Sequence, residues 1–331
     1  KKIAILGSTG SIGKITLNII QQNKNYFEIK LLSTNKNIRI LTRQAKLFNV
    51  KNLIVTSKKH YEIFKKKNRN KNLKIYNDFL SFNKIFNSKI DYVMSSITGI
   101  AGLEPTIKII KYTKSIGIAN KETIICGWNL ISKQLKKNNT SFVPIDSEHF
   151  SIYSLNNGFS TSQIEKIFIT ASGGPFLNLT KKKLNMVNPS NAIQHPNWKM
   201  GKKISVDSAT LMNKVFEVIE AQRIFNLKKK FFEILIHPKS YLHSIIKYKN
   251  GTSKLLIHDT TMKIPIFNYV CRDLENKLNT NKINFNILNN LELKKPINKQ
   301  FPLLKMLNRI PENISLFETI LISANDELVE N

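Results

Sequence analysis

Short, continuously apolar segments alternate with amphipathic ones along the first 120 residues of the chain. The segment Lys2-Ile3-Ala4-Ile5-Leu6 is typical of a strand that is buried on both faces of a parallel sheet, and a helical pattern begins near Ile15. Further strands are predicted near residues 27–33, 52–56, 73–76, 91–96 and 115–119, and further helices near residues 38–48, 59–67, 78–86 and 104–111. Repeated strand–helix units of this kind predict an α/β fold with a doubly wound, Rossmann-like parallel sheet.

Three glycines separate the first strand from the first helix, in the sequence Gly7-Ser8-Thr9-Gly10-Ser11-Ile12-Gly13. Glycines in such a turn let the backbone approach a pyrophosphate, and the N-terminus of the following helix supplies unpaired N–H groups. The spacing is GxxGxxG rather than GxGxxG. The flanking strand and helix, more than the motif itself, therefore favour dinucleotide binding over a plain turn.

The end of the second predicted strand indicates which dinucleotide is bound. Enzymes that use NAD usually carry an acidic residue there, which bonds to the ribose hydroxyls. This chain has Asn35-Lys36-Asn37 instead, and an ammonium group favours the additional phosphate of NADPH. The alternative is that Lys36 is one more surface lysine of a lysine-rich chain.

Two carboxylates lie close together in the segment Pro144-Ile145-Asp146-Ser147-Glu148-His149, which follows a predicted strand at residues 141–143. In extended backbone, Asp146 and Glu148 point to the same side, with the Ser147 hydroxyl beside them. Neighbouring carboxylates repel each other unless a proton or a cation lies between them. Because the segment has no cysteine, it predicts a hard divalent cation such as Mg²⁺ or Mn²⁺. A solvated acidic loop is the alternative.

Polar residues in the second half of the chain are suited to binding a phosphate. Ser172-Gly173-Gly174 follows a predicted strand at 166–170 and combines a hydroxyl with exposed backbone N–H groups. Ser208 is predicted to cap a helix over Ala209–Phe225. Three polar residues of that helix share one face because they are three or four positions apart: Asn213, Lys214 and Glu217. Glu217 would be a third carboxylate for the metal, and an exposed lysine–glutamate pair is the alternative.

The segment His195-Pro196-Asn197-Trp198-Lys199-Met200-Gly201 is a candidate lid. Its large side chains, bounded by proline and glycine, are suited to covering a substrate. A packed loop anchored by its tryptophan is an equal alternative. Beyond Met262 the pattern is less regular, with an asparagine-rich linker over 276–290 and predicted helices over Phe301–Asn308 and Leu316–Leu328.

The composition argues against several classes of protein. The chain of 331 residues has 52 Lys and Arg against 22 Asp and Glu, a net charge of +30. Six of the basic residues are Arg, and the lysine clusters are scattered without interleaved aromatic residues, so solvated surface is favoured over nucleic-acid binding. No apolar run reaches the roughly 18 residues of a membrane span. The two cysteines form no ligand motif, which indicates a reducing compartment and no structural zinc.

Together, these motifs resemble those of the 1-deoxy-D-xylulose 5-phosphate reductoisomerase family of the non-mevalonate isoprenoid pathway. Further blocks that carry the resemblance are Ala119-Asn120-Lys121-Glu122, Ser172-Gly173-Gly174-Pro175-Phe176, Lys203-Ile204-Ser205-Val206-Asp207-Ser208-Ala209-Thr210, Met212-Asn213-Lys214 with Glu217, and Ile236-His237-Pro238. Their order and spacing extend over residues 1 to about 265. The resemblance implies isomerisation and reduction of 1-deoxy-D-xylulose 5-phosphate to 2-C-methyl-D-erythritol 4-phosphate, with NADPH and with Mg²⁺, Mn²⁺ or Co²⁺.

The resemblance also implies roles for individual residues. The metal ligands would be Asp146, Glu148 and Glu217, and the catalytic residues would be these three together with Lys121 and His195. The substrate would be bound by Ser147, Glu148, Ser172, His195, Trp198, Met200, Ser208, Asn213, Lys214 and Glu217, with Ser240 and His243 as supporting positions. NADPH would be bound by Gly7, Ser8, Thr9, Gly10, Ser11, Ile12, Asn35, Lys36, Asn37, Asn120, Lys121, Glu122 and Gly201.

Four regions are expected along the chain. They are an NADPH-binding domain at 1–145, an α/β catalytic domain for metal and substrate at 146–270, a linker at 271–300, and the start of a C-terminal helical domain at 301–331. The family resemblance implies a homodimer. A bacterial cytoplasm is the expected compartment, with a plastid stroma as the alternative, and neither a membrane nor a nucleic acid is expected as a partner.

Several positions depart from the family pattern. Val215-Phe216 replaces Gly-Leu, Thr260-Thr261-Met262 replaces Pro-Asp-Met, and the chain stops soon after Ser323-Ala324-Asn325-Asp326-Glu327, which resembles the family's Asn-Glu segment. A truncated or decayed relic that binds NADPH without turnover is therefore the alternative function. A semialdehyde-type NADP dehydrogenase is disfavoured, because it needs a nucleophilic cysteine and Cys126 lies within a predicted helix.

Overall fold

The computed structural model describes residues 1–156, 160–198, 201–313 and 315–330 of the chain. They form two compact units. The first unit consists of Lys1–Asp146 and Pro265–Asn276, and the second consists of Ser147–Ile264 and Lys277–Asn331.

The first unit is built on a seven-stranded sheet in which all neighbouring strands are parallel. Its strands are β1 Lys2–Leu6, β2 Glu28–Thr34, β3 Asn52–Val55, β4 Lys74–Tyr76, β5 Ile90–Ser95, β6 Thr113–Ile118 and β7 Ser141–Pro144. Their order across the sheet is β4-β3-β2-β1-β5-β6-β7, which confirms the predicted doubly wound sheet. Ligands of such sheets bind at the carboxyl ends of the strands where the winding reverses, here between β1 and β5.

Helices link these strands: α1 Ser11–Gln22, α2 Ile38–Leu47, α3 Lys58–Lys67, α4 Phe82–Ile85, α5 Leu103–Ile109 and α6 Lys121–Lys137. The central strand β1 has four consecutive residues with no exposed surface, Ile3 to Leu6. A strand covered on both faces needs apolar residues at every position, which explains why its sequence does not alternate.

The second unit contains a mixed four-stranded sheet with the order β11-β10-β8-β9. Its strands are β8 Ile164–Ala171, β9 Phe232–Ile236, β10 Leu242–Tyr248 and β11 Ser253–Ile257. Strand β8 is parallel to β9 and antiparallel to β10. The helices that follow β7 are α7 Ser147–Leu155, α8 Lys181–Leu184, α9 Pro189–Ala192, α10 Lys202–Ala209, α11 Met212–Phe225, α12 Lys263–Val270, α13 Phe285–Asn289 and α14 Phe317–Glu330, with a 3₁₀ helix at Pro302–Arg309.

The segment Pro265–Asn276 belongs to the first unit, whereas the sequence placed it partly in the catalytic domain and partly in the linker. Two tyrosines explain this placement. The Tyr269 hydroxyl donates to the Val93 carbonyl at 3.0 Å, and the two rings of Tyr269 and Tyr92 meet edge to face at 5.6 Å. These contacts join residues about 180 positions apart, so the local pattern carries no trace of them.

The helix predicted over Ala209–Phe225 is confirmed as α11 from Met212 to Phe225, but its predicted start is wrong, because Ala209 ends α10 and a break separates the two helices. At the break, Leu211 adopts a left-handed conformation with φ of 60° and is 1% exposed. Burial of this leucine side chain offsets the roughly 1–2 kcal/mol that left-handed backbone costs a non-glycine residue. Ser208 consequently lies in the last turn of α10 and does not cap a helix.

The C-terminal helix α14 is held to the rest of the second unit by polar contacts in its first turn and past its middle. Near its start, the carboxylate of Glu318 pairs with Arg223 of α11 in a buried salt bridge. Past its middle, the Asn325 amide donates to Asp207 Oδ1 at 2.8 Å, and Asp326 pairs with Lys203 at 2.6 Å. Among the described residues, no helix combines the length and apolar character that crossing a membrane requires.

Candidate active site

The glycine loop after β1 is packed tightly against its surroundings. Gly7 has φ of +80°, and a Cβ there would lie 2.7 Å from the Ser96 carbonyl oxygen. A Cβ on Gly13 would lie 2.5 Å from the Gly7 carbonyl oxygen. Both positions therefore require glycine. The N-cap of α1 is Gly10, which has no side chain to accept from the N–H groups of the first turn. These N–H groups can therefore face an anion.

Side chains of the loop are partly engaged in the fold. Ser8 is fully buried, and its hydroxyl donates to Gln44 Oε1 at 2.8 Å. The Thr9 hydroxyl lies 2.7 Å from that of Thr34 at the end of β2. Ser8, which the family resemblance assigned to NADPH, thus has its hydroxyl, its N–H and its carbonyl all bonded to protein groups, on Gln44 and Ser33.

Other residues assigned to NADPH lie at the same edge of the sheet. Asn35, Lys36 and Asn37 follow β2 and are exposed, and the Asn37 side chain caps α2 by accepting from Ile40 N–H. At the end of β6, Asn120 caps α6 through Thr123 N–H at 2.7 Å. Its amide also donates to the Gly99 carbonyl at 2.8 Å, which ties the turn after β5 to α6. Lys121 and Glu122 are the first two residues of that helix.

From Ser147 onward the acidic segment is helical, so the extended backbone predicted for it is wrong there. Strand β7 ends at Pro144, and α7 begins at Ser147. Asp146 is the last residue of the first unit. Glu148 lies in the first turn of α7 and is buried, and its carboxylate accepts from the Ser147 hydroxyl.

Within the second unit, Glu148 meets Glu217 of α11 through a shared lysine. Lys214 Nζ lies 2.9 Å from Glu148 Oε1 and 2.6 Å from Glu217 Oε2. Burial disfavours the charged ammonium, but the two carboxylates outweigh burial and raise the pKa of Lys214 above its usual range. The lysine–glutamate pair predicted from the three-residue spacing is thus real. It is buried, with Glu217 1% exposed, and not a surface pair.

Neighbouring groups fix both carboxylates. Asn213 donates its amide to Glu217 Oε1, as expected for side chains four residues apart on a helix. His149 Nε2 lies 2.8 Å from the Glu217 backbone carbonyl and donates to it, and Ser244 Oγ donates to the Glu148 carbonyl at 3.2 Å. The backbone on each side of the acidic pair is therefore held by a side chain from another element.

Ser172 and His195 form a second polar group in this unit. His195 Nδ1 accepts from two backbone N–H groups, those of Asn197 at 3.1 Å and Trp198 at 2.9 Å. The ring proton therefore lies on Nε2, which donates to Ser172 Oγ at 2.9 Å. Burial and, secondarily, the charge of Lys214 lower the pKa of His195 to about 4. The Ser172 hydroxyl also accepts from Gly174 N–H at 3.0 Å, which leaves its own hydrogen for a further acceptor.

The loop after Ser172 lies close to the backbone of Ser208 and Ala209 at Gly174. Gly173 and Gly174 have φ of +83° and +65°. A Cβ on Gly174 would lie 2.7 Å from the Ser208 carbonyl oxygen and 2.8 Å from Ala209 Cα. The close approach of this loop to α10 is what the Ser-Gly-Gly sequence permits.

The candidate lid is anchored at its described residues. The Asn197 amide donates to Ser240 Oγ at 2.9 Å and to the Pro238 carbonyl at 2.6 Å. The Trp198 ring meets the His243 ring edge to face at 6.1 Å. The described part of the loop therefore contacts Ser240 and His243, the two supporting positions that the resemblance implied. Met200, assigned to the substrate, lies outside the described residues, and Gly201 is the exposed N-cap of α10.

Two residues with no role predicted from the sequence contact the proposed site residues: His149 contacts Glu217, and Gln44 contacts Ser8. His149 was part of the acidic segment, yet its contact with the Glu217 backbone depends on a 68-residue separation. Gln44 left a weak signal, because it is a polar residue on the apolar face of α2, next to buried Leu41 and Ala45.

Family models and relatives match most of the chain. The model of 1-deoxy-D-xylulose 5-phosphate reductoisomerase matches residues 3–127, and the model of the C-terminal domain of that enzyme matches residues 142–225. The reductoisomerase of Pelagibacter ubique (strain HTCC1062) is 58% identical over 332 residues, which cover 100% of this chain and 86% of the relative. The chain belongs to the 1-deoxy-D-xylulose 5-phosphate reductoisomerase family. This confirms the resemblance found in the motifs.

More distant reductoisomerases agree with this assignment. That of Wolbachia pipientis wMel is 38% identical, over 100% of this chain and 85% of the relative. The solved reductoisomerase of Zymomonas mobilis in complex with NADPH has a TM-score of 0.83 and 30% identity, over 93% of this chain and 80% of that one. A reductoisomerase in complex with NADPH, fosmidomycin and magnesium has a TM-score of 0.83 and 31% identity, over 93% and 79%.

The departure from the reductoisomerase pattern next to Glu217 affects packing. Val215 and Phe216 are both fully buried, so they replace the family's Gly-Leu inside the core of the second unit. The polar face of α11, with Asn213, Lys214 and Glu217, is retained.

Proposed function

We propose that this chain converts 1-deoxy-D-xylulose 5-phosphate to 2-C-methyl-D-erythritol 4-phosphate by isomerisation and NADPH-dependent reduction, with a divalent metal, as a step of non-mevalonate isoprenoid precursor synthesis. The observation that carries the proposal is the buried cluster of Glu148, Lys214 and Glu217, in a chain 58% identical to a reductoisomerase along its whole length.

NADPH is proposed to bind at the carboxyl edge of the first unit's sheet. The N–H groups of Thr9, Ser11 and Ile12 would bind its pyrophosphate, because the loop brings the backbone close and α1 adds its positive dipole end. Lys36, between Asn35 and Asn37, would pair with the 2′-phosphate. When bound, NADPH supplies the hydride that reduces the rearranged substrate. The other residues that the resemblance assigned to NADPH remain proposals of the same kind.

The acidic cluster fits a divalent cation. Glu148 and Glu217 offer oxygen atoms within 4.8 Å of each other, and hard cations such as Mg²⁺ and Mn²⁺ prefer oxygen ligands. Lys214 carries one positive charge and the two carboxylates of Glu148 and Glu217 carry two negative ones, so the cluster keeps a net negative charge. Asp146 is proposed as the third ligand from its position two residues before Glu148. The metal, when bound, would polarise the oxygens of the substrate as a Lewis acid.

Residues of the second unit would bind the phosphosugar. Ser172 has a hydroxyl hydrogen left for an acceptor, and the neutral His195 holds that hydroxyl in place. Ser208 lies beside the same loop, and Asn213 and Lys214 project from α11. Trp198 and Met200 would cover the substrate and exclude water from the reactive intermediate. Ser147 and Lys121 are proposed to assist at this site.

The remaining expectations about partners and compartment are also proposals. A homodimer is proposed from the family resemblance alone. A bacterial cytoplasm is proposed because the similar reductoisomerases come from bacteria. The alternative function is a relic of the family that binds NADPH without turnover. The retained acidic, lysine, serine and histidine side chains favour the active enzyme over the relic.

The test is NADPH oxidation, followed optically, with 1-deoxy-D-xylulose 5-phosphate and Mn²⁺ or Mg²⁺. We expect oxidation that requires both substrate and metal, stops with a chelator, and is inhibited by fosmidomycin, which a solved reductoisomerase binds. NADPH binding without substrate-dependent oxidation would support the relic instead. Absence of NADPH binding would contradict both functions.

A further inference from the structure

Gln44 is a polar side chain on the buried face of α2, and the proposed site does not include it. It is 9% exposed and lies beside Leu41 and Ala45. Its amide makes two hydrogen bonds to a single residue. Nε2 donates to the Ser8 carbonyl at 2.8 Å, and Oε1 accepts the Ser8 hydroxyl at 2.8 Å. Both bonds are buried, so the amide is satisfied on both sides and held in one orientation.

The bond to the Ser8 carbonyl sets the direction of the next N–H group. A trans peptide unit is planar, so the Ser8 carbonyl and the Thr9 N–H point in opposite directions. With the carbonyl directed at Gln44, the Thr9 N–H points away from α2. In the described part of the chain this N–H donates to no protein acceptor, whereas Gly7 and Ser8 donate theirs to Ser33.

We infer that Gln44 is a positioning residue for NADPH. It holds the Ser8–Thr9 peptide so that the Thr9 N–H faces a phosphate of the cofactor, next to the first turn of α1. The inference rests on the proposed NADPH-dependent function. It also explains why a serine assigned to the cofactor is fully buried: its backbone carbonyl, held by Gln44 at 2.8 Å, sets the direction of the neighbouring Thr9 N–H.

The variant Gln44→Leu tests this role, because it keeps a similar shape and removes both hydrogen bonds. We expect the Kd and KM for NADPH to rise about tenfold, the effect of one net hydrogen bond, while kcat and the KM for the substrate change by less than about twofold.

Asn52→Leu is the matched control. The Asn52 amide donates to the Lys30 carbonyl at 3.0 Å in the same sheet, and Asn52 begins β3, at the edge opposite the carboxyl ends. This variant removes one part-buried bond where Gln44→Leu removes two buried ones, so it should lower Tm by less, and it should leave NADPH binding unchanged. If Gln44→Leu folds poorly, Gln44→Met serves instead, since its unbranched side chain is closer in shape to glutamine and also lacks the donor to the Ser8 carbonyl.

NADPH binding is measured directly, by its fluorescence, so that it does not depend on turnover. Wild-type affinity in a folded Gln44→Leu variant, or an equal loss in Asn52→Leu, would overturn the inference. If wild-type protein binds NADPH but oxidises none with substrate and metal, the proposed reaction fails, and the inference about Gln44 is still tested by binding.

Discussion

The substitution Glu217→Gln tests the acidic cluster, because it removes one negative charge and keeps the shape of the side chain. Glu217 is 1% exposed, and its Oε2 lies 2.6 Å from Lys214 Nζ. A hydrogen bond between charged groups contributes about 1.5–3 kcal/mol, and a glutamine carbonyl still accepts one. We therefore expect a loss of about 1–2 kcal/mol in stability, a fall in Tm of about 2–8 °C.

The effect on metal binding should be much larger. Removal of a residue that merely hydrogen-bonds to a metal ligand lowers affinity about 10–100-fold, so loss of a charged ligand should lower Mn²⁺ affinity by about 100-fold or more. Metal-dependent oxidation of NADPH should fall with it. NADPH affinity should not change, because nearly all residues proposed for the cofactor belong to the first unit.

Three measurements on one preparation check these expectations: Mn²⁺ titration by calorimetry, NADPH binding by fluorescence, and turnover with substrate. The matched control is Glu165→Gln, which breaks a half-exposed pair with Lys247 at the same distance of 2.6 Å and should change none of the three. Glu217→Gln with Mn²⁺ affinity and turnover within about threefold of wild type would refute Glu217 as a ligand.

Three further predictions concern the rest of the second unit. His195 should show an Nε2–H tautomer and a pKa near 4 by ¹⁵N NMR. Because the unfolded chain takes up this proton near pH 6.5 and the folded chain near pH 4, stability should fall as the pH drops through that interval; a pKa of 6.5 in the folded protein would contradict the assignment. Gly174→Ala should raise the substrate KM and cost more stability than Gly251→Ala. Gly251 also has a positive φ, but a Cβ added there has nothing within 4 Å. Equal losses of stability would mean that backbone strain, and not the close approach to α10, causes the loss at Gly174. Glu318→Leu should cost about 3–5 kcal/mol in chemical denaturation because it strands a buried Arg223, and the double variant with Arg223→Met should recover most of that loss; a double variant as unstable as Glu318→Leu would show that the lost ion pair was itself stabilising.

Much of the first unit could be predicted because its signals are local. A strand covered on both faces is apolar throughout, and a turn that approaches a ligand needs glycine, as at Gly7 and Gly13. The pair Lys214–Glu217 was predictable in the same way, since a helix brings together residues three positions apart.

Predictions that extended a local pattern across a boundary were the ones that went wrong. The helix over Ala209–Phe225 has acceptable helical residues throughout, yet the buried Leu211 interrupts it. Likewise, the acidic segment looked extended because it follows a strand, although α7 begins at Ser147. Local sequence does not show at which residue the free energy gained by burying a side chain exceeds the cost of an unfavourable backbone conformation.

The sequence by itself determined the family, the doubly wound sheet and the residue types available to the site. The tertiary structure decided which of them meet. Lys214 reaches Glu148 across 66 residues, Gln44 reaches Ser8 across 36, and Asn325 reaches Asp207 across 118. The physical reason is that helix and strand periodicities follow from hydrogen bonds between near neighbours. Pairs so far apart in sequence are brought together by the packing of whole elements, which no local pattern records.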